Sequence, residues 1–459
     1  MASVPDVPDN NPEDEFRDML RDFLSGKGGI DPSQLAGAAG LPADPAAIQA
    51  MLGQLQNAMR GASDGGINWQ VATDQAVQLA TASAVSTTPE QRAQLDQAFS
   101  IAALWLDDVT QITELTSVPK LMTRGEWVRA TMPVWTQLAE PVATSISDAL
   151  TRVLSEQAPE EMQGMVQGAS SLLRSIGGAL FAMQLGQVVG QLSTEVVSGG
   201  DIGIPLLDDN QAALLPQSVA AFGEGLDIPD DQVQIYLAVR ELAHARLFRH
   251  ARWLRLHLIS SITEFARGIR IDTDRLEGLA DSFDPANPEE LRQAMVDGSL
   301  IPPKTEQQLA TLARLETTLA LVEGWVDVVT GAATARLPKS DAVAETVKRR
   351  RATGGPAESA FSTLVGLELR PRRLREAAAM WQKVTDAVGN EQRDTLWSHP
   401  DLIPTAEDID DPTSLLARLE ARARGDVPEP DEFDTALEDL LRGEEGGSGG
   451  TGIDTPPNG

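Results

Sequence analysis

Apolar residues recur every three or four positions along most of this chain, the spacing of one face of an α-helix, and few stretches alternate with the period of two that a strand requires. From about residue 68 onward, Ala/Leu/Gln-rich windows carry the helical period, with breaks at Thr88-Pro89, Val118-Pro119 and Ala158-Pro159. Pro229-Asp230-Asp231 opens a further helix, because Pro and acidic side chains suit a first turn, and its pattern runs to about Ile269. A short helix is expected around 289–296 and a long one from about Thr305 to Arg336, after Pro302-Pro303. Beyond the Ala352-Thr353-Gly354-Gly355-Pro356 loop, helices resume at about 358–366, 371–388 and 412–424. Asp201–Leu206 is the clearest extended segment. No internal repeat is visible. The pattern predicts a mainly α protein with few or no strands.

The ends differ from the middle. Residues 1–60 read as an acidic N-terminal segment with short helical patterns at about 13–25 and 45–60, residues 61–425 as the helical domain, and residues 426–459 as an acidic Gly/Pro-rich tail. Residues 1–12, rich in Pro, Asp and Asn, and the tail after about residue 426, low in apolar residues and high in charge, are expected to be disordered, save for a short transient helix around Phe433–Arg442.

Composition narrows the chemistry. Cysteine is absent, so thiolate metal sites, disulfides and cysteine nucleophiles are excluded, and any metal must be held by His, Asp, Glu or water. The first residues lack a basic region followed by an apolar core, so a cytoplasmic protein is expected. The most apolar stretch, about Ile176–Val197, carries Gln184, Gln187 and Gln191, which marks a buried or interfacial helix rather than a membrane span. A net charge of −31 argues against nucleic-acid binding, and no glycine-rich phosphate loop is present. Residues 401–459 hold 16 acidic and 4 basic side chains, a net −12. Against this background stand two basic clusters, Lys348-Arg349-Arg350-Arg351 and Arg370, Arg372, Arg373 and Arg375. Pairing with acidic surface is their expected role, with a local anion-binding face as the alternative.

The chain has four histidines, and His244, His250 and His257 fall in one segment. Arg240-Glu241-Leu242-Ala243-His244 has the shape of His-Glu-x-x-His, in which two histidines one helical turn apart grip a zinc ion and the glutamate acts on the metal-bound water as general base. Glu241 stands at the base position and His244 at the second-ligand position. Arg240 stands where the first ligand belongs, and a guanidinium has no lone pair to give. His250 and His257 share a helix face but lie two turns apart, too far to share an ion, and are expected to be polar or capping residues. A further carboxylate stripe, Glu316, Glu323 and Asp327, runs along the apolar segment Leu312–Val329. Of the three, Glu323 sits deepest among apolar neighbours and needs an internal cation or several donors.

These residues resemble the zincin-like metallopeptidase family, a group of largely uncharacterised proteins common in actinobacteria and often described as hydrolases, one branch being associated with deazaflavin-coenzyme biosynthesis. The resemblance covers roughly residues 75–400. It rests on Val239–Phe248, on Leu321-Val322-Glu323-Gly324-Trp325-Val326-Asp327, on Gly366-Leu367-Glu368-Leu369-Arg370, and on Trp397–Thr405. It implies a zincin-like helical domain with His244 and Glu323 as metal ligands and Glu241 as base. Arg240 departs from the family pattern, and Trp325 stands where a histidine would offer another ligand.

Two functions follow as expectations. The first is a zinc-dependent peptidase or hydrolase acting on a peptide or protein. Its remaining ligand would come from Glu241, Glu316, Asp327 or His399, and an arginine or Tyr236 would stabilise the oxyanion. The second is a non-catalytic protein of the same fold that binds or scaffolds partners without zinc. In it the Arg240 guanidinium replaces the ion by bridging Glu323 and Glu241, and the acidic tail faces the partner.

Overall fold

The computed structural model describes residues 67–157, 163–268, 304–352, 356–367 and 373–424. The expected elements at 13–25, 45–60, 289–296 and 433–442 lie outside them, as do Glu368, Leu369, Arg370 and Arg372.

The described chain is mainly helical. Its first helices are α1 (Trp69–Ala82), α2 (Pro89–Asp107), α3 (Arg124–Gln157) and α4 (Gln163–Glu195). Next come α5 (Pro216–Gly223), α6 (Asp230–His250), α7 (Arg252–Arg267) and α8 (Glu306–Thr334). The last are α9 (Ser340–Ala352), α10 (Pro356–Val365), α11 (Leu374–Thr395), α12 (Ala406–Asp410) and α13 (Thr413–Ala423). Local chemistry sets several boundaries. Thr88 and Thr305 each cap a helix, their hydroxyls accepting from the amides of Gln91 and Gln308 while those side chains reach back to the capping residue. Pro89 takes the first turn of α2, where its missing N–H costs nothing.

The pattern that suggests one helix from Pro229 to Ile269 covers two. The backbone breaks at Ala251 (φ −90°, ψ 68°), so α6 ends at His250 and α7 restarts at Arg252. His250 and His257 therefore occupy different helices, and the face they would share on a single helix does not exist. In the expected extended segment Asp201–Leu206, residues 201–204 are turns and bends and no strand forms. The short strands are β1 (Lys120–Leu121) and β2 (Ala213–Leu214), paired in parallel, with Ser198 bridging Leu214 on the other side of β2.

The core lies between the long helices. α4 packs on α1 and α3, which buries Ala72, Ala76, Ala80, Leu185 and Val189 and turns Gln187 and Gln191 outward. Among the described residues no helix is long and apolar enough to cross a membrane. α6 is seated between α2 and α8, with its Val233–Phe248 stretch almost wholly buried, and α8 packs in turn on α11. Trp325, Trp381 and Trp397 form an aromatic cluster between α8, α11 and the segment after α11. Each large apolar side chain so buried contributes about 1.5–3 kcal/mol. This packing sets two central helices side by side, each with charged groups facing inward.

Candidate functional site

Arg240 and His244 are one turn apart on α6 and face the same neighbour, Glu323 of α8. The Arg240 guanidinium donates from Nη2 to Glu323 Oε2, and His244 Nε2 lies 3.0 Å from Glu323 Oε1. The other ring nitrogen, Nδ1, lies 3.1 Å from the Arg240 carbonyl oxygen. One ring nitrogen thus faces a carbonyl and the other a carboxylate, both of them acceptors. All three residues are buried.

A second guanidinium reaches the same carboxylate. Arg351, the last of the Lys348–Arg351 cluster, lies at the end of α9, and its Nη1 is 2.5 Å from Glu323 Oε2. Its Nη2 donates to the Asp201 carbonyl at 2.8 Å. The cluster thus pairs residue by residue: Lys348 with Asp327 at 3.0 Å, Arg349 with Glu345 at 2.8 Å, Arg350 with the Asp201 carboxylate at 3.1 Å, and Arg351 with Glu323.

Electrostatics follow from this crowding. Burial alone would raise the Glu323 carboxyl, but Arg351, His244 and Arg240 outweigh it and hold the group well below the usual carboxylate range. Burial lowers Arg240, and Glu323 together with the smaller effects of Tyr236, Asp327 and Asp201 more than reverses that. Arg351 stays lowered, by burial and by repulsion from Arg240, despite Glu323 and Asp201. Tyr236, buried one turn before Arg240, is pushed up to about 12 by burial.

Glu241 has a different job from that of a free base. Its Oε2 accepts from the Gly200 amide and its Oε1 from the Ala213 amide, each at 2.8 Å. Burial raises its pKa, and these bonds together with one from the Ser198 side chain oppose the rise. A carboxylate held by two amides fixes the 198–203 loop against β2. The Arg240 bridge expected to join Glu323 to Glu241 therefore reaches Glu323 alone.

The loop passes directly over the cluster. Gly203 has φ +79°, and a Cβ there would come within 2.7 Å of Glu323 Oε1. A Cβ on Gly200 would come within 2.9 Å of His244 Cβ. Only glycine lets the backbone approach this closely. Beside the loop, a shallow and largely apolar cleft is lined by His244, Glu241, Leu206, Asn210 and Phe248.

The structure sorts the residues singled out by sequence. Arg240, His244 and Glu323 meet directly, and Tyr236 lies within electrostatic reach of Arg240. Asp327, one turn after Glu323, is held at the rim by Lys348. Glu316 is half-buried and is not without a partner. Trp325 does not line the site. Two residues beyond Glu323 is the opposite side of a helix, and its Nε1 donates to Asp394 at 3.0 Å. His399 is exposed, its Nδ1 accepting from the Asp401 amide at 3.3 Å, and it caps a short turn. Arg351 and Asp201 are the participants that sequence reasoning missed. The run of four basic residues was the visible signal for Arg351, and the Gly199-Gly200 and Gly203 positions were the signal for the loop.

Zinc does not fit this donor set. His244 Nε2 and Glu323 Oε1 converge as two ligands of one ion would, but the positions around them hold two guanidiniums, which repel a cation and supply no lone pair. Among the described residues no group of three or more His, Asp or Glu side chains converges as a ligand set.

A family model described as "Zincin-like metallopeptidase" matches residues 67–416. No curated protein matches the chain. Among solved structures, the fold is similar to that of a Chloroflexus aurantiacus protein described as "a putative hydrolase with a novel fold". The TM-score is 0.53 at 18% identity, over 77% of this chain and 99% of that one. At that identity the likeness concerns the fold alone, whereas the family model spans most of the chain: this protein belongs to the zincin-like metallopeptidase family.

Proposed function

We propose that this chain is a metal-independent member of its family, a partner-binding or scaffolding protein in which Arg240 stands in for the ion. One observation carries the reading: the Glu323 carboxylate, the family's expected ligand, is shared by the guanidiniums of Arg240 and Arg351 and by His244. Buried ion pairs need such compensation, and a guanidinium supplies the charge that zinc would. Glu241, spent on two backbone amides, is not free to act on water. The acidic region toward the C-terminus is the element offered to partners.

The competing reading is a zinc-dependent peptidase or hydrolase. It draws on the 3.0 Å convergence of His244 Nε2 with Glu323 Oε1 and on the His244 Nδ1 contact with a carbonyl, the orientation a ligating histidine adopts. Elemental analysis of protein purified without chelator and without a His tag decides between them. Substoichiometric zinc and no cleavage of a peptide library are expected. Stoichiometric zinc with peptide cleavage would overturn the proposal.

A further inference from the structure

The cluster around Glu323 holds more positive than negative charge. Arg240 and Arg351 face one carboxylate between them. The next carboxylate, Asp201, is engaged by Arg350 at 3.1 Å and by the Val197 amide at 3.0 Å, and Asp327 is engaged by Lys348 at 3.0 Å. Glu323 and Asp201 act on both guanidiniums, Asp327 adds to Arg240, and the Arg240 charge opposes that of Arg351. Among the described residues one cation is left over, in a chain whose net charge is −31.

The donors show the same imbalance. Arg240 Nε and Arg351 Nε are both buried, and neither has a hydrogen-bond partner among the described residues. The Arg240 side chain is only 8% exposed, so its Nε cannot simply turn to bulk water. A buried N–H without a partner costs about 1–3 kcal/mol, and native structures satisfy nearly all such groups with protein, water or an ion. The Arg351 side chain is 16% exposed, which opens the pair to solvent at that end.

We propose that the Arg240–Arg351 pair is an oxyanion-binding site, taking a carboxylate or phosphate group that supplies the missing negative charge and accepts from the unpartnered Nε–H donors. Guanidiniums suit such groups because their N–H donors match paired oxygens. The ligand is small and enters past Arg351. The overall negative charge repels anions at long range, so binding depends on this local surplus and weakens as salt screens it. The inference rests on the metal-independent reading, since zinc at Glu323 would need the place of the guanidiniums. The two fail separately: metal content tests the first, and anion titration in metal-free buffer tests the second.

The test is calorimetric titration of the full chain with inorganic phosphate, with acetate, and with chloride at matched ionic strength. Saturable binding of phosphate or acetate, absent with chloride, is expected. Arg351→Lys keeps a charge beside Glu323 but removes the Nε–H, and should weaken binding about tenfold or more. Arg349→Gln, exposed and paired with Glu345, should leave it unchanged. Tighter phosphate binding assigns a phosphate ligand. Tighter acetate binding, with a peptide bearing a free C-terminus outcompeting its amide, assigns a peptide terminus. Both orderings support the site. Equal response to all three anions, or no saturable binding in wild type, overturns it without reference to any variant. Undiminished affinity in a folded Arg351→Lys overturns it as well.

Discussion

His244 Nε2 and Glu323 Oε1 lie 3.0 Å apart, although 79 residues separate them along the chain. Arg240, one turn earlier on the same helix, takes the other oxygen of that carboxylate. A helix that in its family's pattern would present two histidines to an ion here presents a guanidinium and an imidazole to a glutamate. Arg351 closes the arrangement from a third helix.

Because Glu323 has three partners, losing one should cost less than losing Glu323 itself. Arg240→Ala leaves the carboxylate with Arg351 and His244, and a destabilisation of about 1.5–3 kcal/mol is expected. Glu323→Ala leaves two buried guanidiniums uncompensated and should cost about 3–5 kcal/mol. Urea unfolding of the two variants gives the order. Equal losses would show that Arg351 does not cover Glu323.

The depressed Glu323 carboxyl makes part of the stability acid-sensitive. A group whose folded pKa lies below its unfolded value, about 4.3 for Glu, contributes stability that is complete above that value and is lost as pH falls toward the folded pKa. The raised Glu241 carboxyl acts in the opposite sense, losing stability as pH rises through its folded pKa. Subtracting the Glu323→Gln variant from wild type cancels the Glu241 contribution. The remaining difference should be flat above about pH 5 and shrink below about pH 4. A difference that stays constant down to pH 3 would contradict an ionised, cation-held Glu323.

Arg240→His should recreate the paired histidines, with Glu323 as third ligand. Zinc should then raise the unfolding temperature of the variant and not that of wild type. Arg351 remains a competing cation, so the double change Arg240→His with Arg351→Ala should bind zinc more tightly than the single one. Thermal melts with and without zinc, alongside measured metal content, provide the check. If wild type responds as strongly as the variant, Arg240 is not the ion's replacement.

Glu241→Gln probes the loop. An amide side chain has one acceptor oxygen, so it can satisfy the Gly200 or the Ala213 N–H but not both. A cost of about 1–3 kcal/mol is expected, with faster hydrogen exchange at whichever amide loses its partner. An unchanged stability with both amides still protected would mean that the carboxylate is not what holds the loop.

Helical periodicity by itself was enough to establish the mainly α architecture, because burying one face of each helix forces the three-to-four-residue recurrence of apolar positions. Pro302-Pro303 marked where α8 begins, because proline is excluded from a helix interior, and the Thr305–Gln308 capping box holds that start in the structure. Arg240, Glu241 and His244 stood out by the spacing of His-Glu-x-x-His, and Glu323 because a charged group set in an apolar run must meet a partner inside. What that partner is belongs to the tertiary structure. Nothing local to Ala251 ended the apolar pattern, yet the backbone breaks there to fit α6 and α7 to different neighbours. Trp325 reads as a site position from its spacing in the motif, but α11 lies on its side of α8 and supplies Asp394. Glu241 carries the register of a catalytic base, and only the approach of the 198–203 loop assigns its oxygens to amides. Arg351 lies 28 residues beyond Glu323 in a basic run that resembles any solvated cluster. Packing of α9 against α6 and α8 alone brings it to the buried carboxylate. Charge complementarity inside a protein is settled by which helices touch, and that is a property of the whole fold.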